Sequence, residues 1–142
     1  MTKWRYDFKT NLFQTCLSIA MKIPKIHIKR IYEPAESTDG FRVLVDRLWP
    51  RGIKKEKAHV DEWAKDIAPS TEIRVAYGHI PERWEKFKGQ YLAELKKNED
   101  IPHYLDKWEE HPVITLLYAA KDEKHAHVLV LQKYLQDCYK KR

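Results

Sequence analysis

Val113-Ile114-Thr115-Leu116-Leu117-Tyr118-Ala119-Ala120 is the stretch whose reading decides the fold. It is an almost continuous apolar run of strand length with β-branched content, the pattern of a strand buried on both faces. We place it at the centre of a sheet. Immediately upstream, Pro102 starts a short helix carrying Tyr104, Leu105 and Trp108 and closed by His111–Pro112. Before that, Pro81 opens a longer helix whose inner stripe is Trp84, Phe87, Tyr91 and Leu95, weakened somewhat by Gly89. Ser70 is a natural N-cap for a short helix that ends at Tyr77–Gly78. Downstream, a helix from about Asp122, with Asp122 as its N-cap, turns Val128, Leu131, Leu135 and Cys138 inward and ends in a solvated Lys140-Lys141-Arg142 tail.

The N-terminal half supplies two more strands. Ile23–Tyr32 half-alternates, with Ile26 and Ile28 on one side, and reads as the first strand. Glu33–Gly40 carries Pro34, Ser37 and an Asp39-Gly40 pair, and is shorter than the dozen or so residues that a parallel crossover normally takes. The first two strands are therefore expected to be antiparallel neighbours. Phe41–Trp49 is the second strand: Phe41, Val43, Val45, Arg47 and Trp49 face one way, Arg42, Leu44, Asp46 and Leu48 the other. After Pro50-Arg51-Gly52, the spacing of Ile53, Val60, Trp63, Ala64 and Ile67 predicts an amphipathic surface helix. The fold class is α/β: a single domain with a small mixed sheet, an antiparallel first pair plus a buried central strand, packed by several amphipathic helices. Residues 1–20 mix aromatics with polar residues in no sustained pattern and read as an appended extension; residues 21–142 form the domain, with Met21 opening directly into the first strand. Asn11, Gln14 and Thr15 interrupt the apolar stretch that a secretory signal requires.

Length and composition bound the function. A chain of 142 residues suits one domain. Lys+Arg 27 against Asp+Glu 21 gives +6, a leaning towards anionic partners that does not choose among them. No apolar run approaches the roughly 20 residues of a membrane span. Cys16 and Cys138 are far apart, without metal-ligand spacing, which fits a reducing cytoplasm. The glycine-rich phosphate loops, the GxSxG elbow and the HExxH helix are all absent, removing support for a P-loop nucleotidase, a dinucleotide fold, an α/β-hydrolase and a zincin.

Asp46-Arg47-Leu48-Trp49-Pro50-Arg51-Gly52 puts two arginines, an acid and an aromatic beyond the end of a buried strand, where α/β proteins collect ligands. Arg47 falls on an otherwise apolar face and needs an anion; an internal acid such as Asp66 is the alternative to a ligand. Tyr118, Asp122, His125 and His127 follow the central strand and have the residue types for proton transfer or metal binding, but histidines at i and i+2 on a helix point to different faces, which argues against metal. His79 has the chemistry of an acid or base, or of a donor to the terminal carbonyls of the preceding helix, and Ser70 and Arg74 stand one helical turn apart, where they could hold an anion. The expectation is a pocket lined by Arg47, Arg51, Arg74 and His79, with Trp49, Ser70, Tyr118, His125 and His127 contributing to binding. Its ligand is a small phosphate- or carboxylate-bearing molecule. Were it to catalyse, His79, Asp122 and Asp46 are the acid/base candidates and the arginines would stabilise anionic charge. No cofactor is specified. The rival readings are a nucleic-acid-binding protein using Lys54-Lys55-Lys57 and the basic tail, and a protein-interaction module with Trp49 or Trp108 partly exposed.

Four segments, Arg30–Ala58, Trp63–Arg74, Gly78–Trp84 and Thr115–His127, carry a family likeness, most specifically DRLWPRG followed by LLYAAKD. Across nearly all of residues 21–135 the chain resembles the YeaO-like branch of the domain-of-unknown-function 488 family. The resemblance implies a small cytoplasmic α/β protein of bacterial type, with recurring positions at Asp46, Arg47, Trp49, Pro50, Arg51, Gly52, Asp66, Ser70, Arg74, His79, Trp84, Tyr118, Asp122, His125 and His127. Two departures stand out: relatives commonly carry Trp where this chain has Ala76, and Asn where it has Ala126. Relatives are sometimes labelled transcriptional regulators, but no helix-turn-helix with a basic recognition helix is visible here.

Overall fold

The computed structural model describes residues 23–142, so the expected extension at residues 1–20 lies outside the described residues. The apolar run forms β4 (Val113–Tyr118), and it is the axis of the sheet. β1 (Lys25–Arg30) pairs along one edge of it, from Lys25 opposite Val113 to Arg30 opposite Tyr118. β2 (Phe41–Leu44) pairs along the other, and the two-residue β3 (Glu62–Trp63) adds outside β2. The order is β1-β4-β2-β3 and every pairing is parallel.

The expected antiparallel first pair is thus corrected: β1 and β2 are parallel, with β4 between them. The strands are short enough to defeat the length rule. Returning along a strand of six residues takes ~20 Å, and the ten residues from Ile31 to Gly40 reach ~33 Å when extended, so no crossover helix is needed. A buried ion cluster pins this crossover. Asp39 and Arg42 are each 5% exposed and paired, and Lys29 Nζ reaches Asp39 Oδ1 at 2.8 Å and Glu36 Oε1 at 2.9 Å. Thr115 Oγ1 on β4 donates to the Asp39 carbonyl at 2.6 Å. Gly40, at φ 66, passes so close to β4 that an added Cβ would lie 2.3 Å from the Val113 carbonyl oxygen.

Two other boundaries differ from expectation. β2 ends at Leu44, after which only Val45 N–H continues the ladder, to the Leu117 carbonyl. The helix expected from Ile53 to Ile67 is instead a single turn, α1 (Lys55–Ala58), stopped by His59 at φ 51, followed by β3 and a 3-10 turn at Lys65–Ile67. Trp63 belongs to the sheet because it registers against Leu44.

The remaining helices are α2 (Thr71–Tyr77), α3 (Trp84–Lys97), α4 (Asp100–Trp108) and α5 (His127–Lys140). They share one core with Ile26, Val43, Val45, Ile114, Leu116 and Tyr118 from one face of the sheet. The opposite face carries a smaller cluster, Ile31, Leu44, Ala58 and Leu117, covered by loops and α1. Trp108 is fully buried and donates its Nε1–H to Glu62 at 2.7 Å, so it is core and not a docking residue. α5 starts five residues later than expected, because Asp122 does not cap it: Asp122 Oδ1 accepts the N–H groups of Lys124 and His125, a local turn that competes with helix. No described helix is long and apolar enough to cross a membrane.

Candidate functional site

The carboxyl ends of β2 and β4 diverge into loops beneath the first turn of α5, and Asp46 and His127 meet there. Asp46 Oδ2 accepts the Ala119 N–H at 2.9 Å, and Oδ1 lies 3.4 Å from His127 Nε2. The same Nε2 stands 2.9 Å from the Val45 carbonyl. A carbonyl only accepts, so Nε2 carries the proton and Nδ1 is the bare nitrogen of the neutral ring. Burial is the main cause at both groups. It raises the Asp46 carboxyl above its usual range, against the pull of His127, the Ala119 N–H and Arg74. It lowers His127, against Asp46 and the Val45 carbonyl, with Arg74 pushing the same way as burial.

Beside this pair lies a layer of polar groups already spent on one another. Arg47 donates from Nε to the Pro69 carbonyl and from Nη2 to the Ala68 carbonyl, each at 3.0 Å. The alternative partner Asp66 is not used by Arg47: its carboxylate faces the Tyr104 hydroxyl at 3.4 Å. Ser70 sits at the N-cap of α2, but its hydroxyl and its N–H both go to Glu94, at 2.5 and 3.0 Å. Glu94 thus takes up the Ser70 groups that were expected to help Arg74 hold an anion. Tyr91 donates to the Ile67 carbonyl at 2.6 Å, and burial followed by the charges of Glu94 and Asp46 holds its phenol well above the usual value. Tyr91 and Glu94 are the residues that sequence reasoning missed. The available signal was a carboxylate three positions after an inward tyrosine, one position before the inward Leu95.

Arg74 stands apart. It is exposed on α2, yet close enough to act on both Asp46 and His127. Among the described residues the arginines in ion pairs are Arg42 and Arg142, so Arg74 has no direct ion-pair partner there. At the rim, His125 Nδ1 and Asp122 Oδ2 lie 2.9 Å apart, and that contact chiefly holds the Asp122 carboxyl below its usual range. The Tyr77 hydroxyl donates to the His125 carbonyl at 3.4 Å, and Trp84 packs its ring 5.6 Å from the His125 ring. His79 is exposed at φ 58, directly after Gly78 at φ 55, with its ring 5.8 Å from that of Tyr77.

The expected residues therefore separate into two regions. Asp46, Arg47, Ser70, Arg74 and His127 gather on the helix-covered face of the sheet, with Asp122, His125 and His79 around Tyr77. Trp49 and Arg51 belong to the other side: Trp49 Nε1 donates to the Ile53 carbonyl at 2.7 Å, and the Arg51 carbonyl accepts from the Tyr32 hydroxyl at 3.0 Å. Tyr118 leans towards the end of β1; burial raises its phenol, and the charges acting on it are those of Glu123, Arg30 and Glu33. Among the described residues no three His, Cys, Asp or Glu side chains converge on one point.

The geometry defines a small parallel α/β domain with a half-buried aspartate–histidine pair near an arginine that has no ion-pair partner among the described residues. Residues 25–142 match the family model DUF488-N3i, described as the inactive DUF488-N3 subclade, and the chain belongs to that family. It is 48% identical over 111 residues to the uncharacterised protein YeaO of Escherichia coli, covering 78% of this chain and 96% of that protein. Uncharacterised proteins of Mycobacterium bovis and Mycobacterium tuberculosis are each 39% identical over 111 residues, 78% of this chain and 93% of theirs. No solved structure matches significantly.

Proposed function

We propose that this domain binds a small phosphate- or carboxylate-bearing molecule at the carboxyl ends of β2 and β4, and holds it without turning it over. The observation that carries this reading is Arg74: an exposed guanidinium near the half-buried Asp46–His127 pair, with no ion-pair partner among the described residues. A planar fork of donors suits phosphate and carboxylate oxygens. His79, Asp122 and His125 are the further groups at the rim with donors or acceptors to offer. Binding without turnover accords with how the other chemistry is spent. Asp46 is tied to Ala119, Arg47 to two carbonyls and Ser70 to Glu94, so three of the groups with chemistry at this end are already spent within the fold. The family's description as inactive points the same way.

The test is thermal stabilisation of the full chain by a panel of organic phosphates and small carboxylates. A ligand at 100 times its dissociation constant adds about 2.7 kcal/mol. Stabilisation by at least one such anion, lost in Arg74→Ala while that variant keeps its own melting transition, is the expected result. No stabilisation by any of them, or equal stabilisation of the variant, refutes the reading.

A further inference from the structure

The sheet face opposite Asp46 and His127 carries a cleft of about 380 Å³ between the first crossover and the Gly52–Ala58 segment. Its floor is apolar: Ile31 and Ala58 belong to the small core cluster of this face, and Ile53 packs against it. Its charge is predominantly positive, with Arg42, Lys54 and Lys57 against the one acid Glu33. Lys54 and Lys57 line it, whereas the lysines in ion pairs among the described residues are Lys29, Lys107 and Lys133. The acid in the lining, Glu33, is turned towards the backbone, where its Oε2 accepts the Arg30 N–H at 3.0 Å, and keeps its charge. Arg42 also borders the cleft, but its donors go to Asp39 and to the carbonyls of His59 and Ala58. The backbone is open as well: at Gly52, φ 80, no atom lies within 4 Å of where a Cβ would stand.

An apolar floor bordered by two lysines that have no ion-pair partner among the described residues complements a molecule that is itself divided, with an acidic head and an apolar body. We propose that this cleft is a second binding site, for a small amphipathic organic anion whose head sits at Lys54 and Lys57 and whose body lies against Ile31, Ile53 and Ala58. A carboxylate or a phosphate head satisfies the same lysines. The site shares no residue with the Arg74 end of the molecule and stands or falls separately from it.

The experiment is an amide NMR titration of the full ¹⁵N-labelled chain with octanoate, octyl phosphate, octan-1-ol and octylamine. The expected result is saturable shifts for the two anions at Ile31, Tyr32 and Gly52–Ala58, with octylamine inert. In Lys54→Gln/Lys57→Gln both anions weaken by at least about tenfold, while the shifts caused by octan-1-ol are unchanged. The tighter of the two anions identifies the head group. Equal binding of octylamine, unchanged anion affinity in the double variant, shifts confined to Arg74 and its neighbours, or no saturation in the millimolar range would each overturn the proposal.

Discussion

Glu94 holds both polar groups of Ser70, the hydroxyl through Oε2 at 2.5 Å and the N–H through Oε1 at 3.0 Å, and so ties the start of α2 to the middle of α3. The contact is half-buried and charge-assisted. Ser70→Ala keeps the backbone bond and loses the hydroxyl one; we expect a loss of about 1.5–3 kcal/mol in urea unfolding. Glu94→Ala removes both, and a cost no greater than that of Ser70→Ala would show that the backbone bond contributes nothing.

His127 makes stability depend on pH in a defined direction. Burial keeps its folded pKa below the ordinary 6.5, so the unfolded chain takes up the proton first as pH falls. The stability it provides is complete above about 6.5 and is lost as pH falls through the folded value. Asp46 works oppositely: its raised carboxyl favours the folded state as pH drops through its own titration. Melting temperature should therefore decline on going below pH 6.5, and His127→Gln, which keeps a donor for the Val45 carbonyl but does not titrate, should flatten that decline. An unchanged slope in the variant would assign the decline elsewhere.

Asp39 sits between two cations on the other face of the sheet. Burial pushes its carboxyl up, but Lys29, the Glu36 N–H and Arg42 together outweigh burial and hold it below the usual 3.8. Its contribution is present above that value and lost as pH falls further. Asp39→Asn leaves Lys29 and the buried Arg42 without their shared anion and should cost about 3–5 kcal/mol in equilibrium unfolding. A cost below about 1 kcal/mol, the range of an exposed pair, would mean that water reaches the cluster.

His79 occupies a left-handed backbone conformation that costs a residue with a Cβ about 1–2 kcal/mol. His79→Gly should raise the unfolding free energy by up to about 1 kcal/mol. If the imidazole serves the anion at the Arg74 end, the same variant loses ligand-induced stabilisation, so calorimetry with and without ligand reads both effects in one protein.

The sheet was legible where burial dictates composition and illegible where geometry alone decides. Val113–Ala120 reads as the sheet centre because a strand covered on both faces has no room for polar side chains, and β4 is that strand. The direction of β2 was lost because the rule for parallel crossovers assumes strands longer than these. β3 was invisible, since two residues cannot display a period of two. At the strand ends, Asp46, Arg47, Ser70, Arg74 and His127 stand out by type and do gather. Arg51 and Trp49 are close to them in sequence but cross to the far side, a separation set by the turn after Val45 that no residue pattern announces. Tyr91 and Glu94 were hidden inside a helical stripe that looked like plain core.

Helices pack one face of this sheet, whereas the described residues cover the other with loops and one turn of helix. Protection is then unequal on the two sides. The helix-covered side, with β4 and its neighbour β2, would open only with the whole molecule, while residues 51–57, which are exposed apart from the half-buried Ile53, would open first. Amide exchange should proceed in that order, with residues 51–57 taking up deuterium early and the amides of β4 and β2 late.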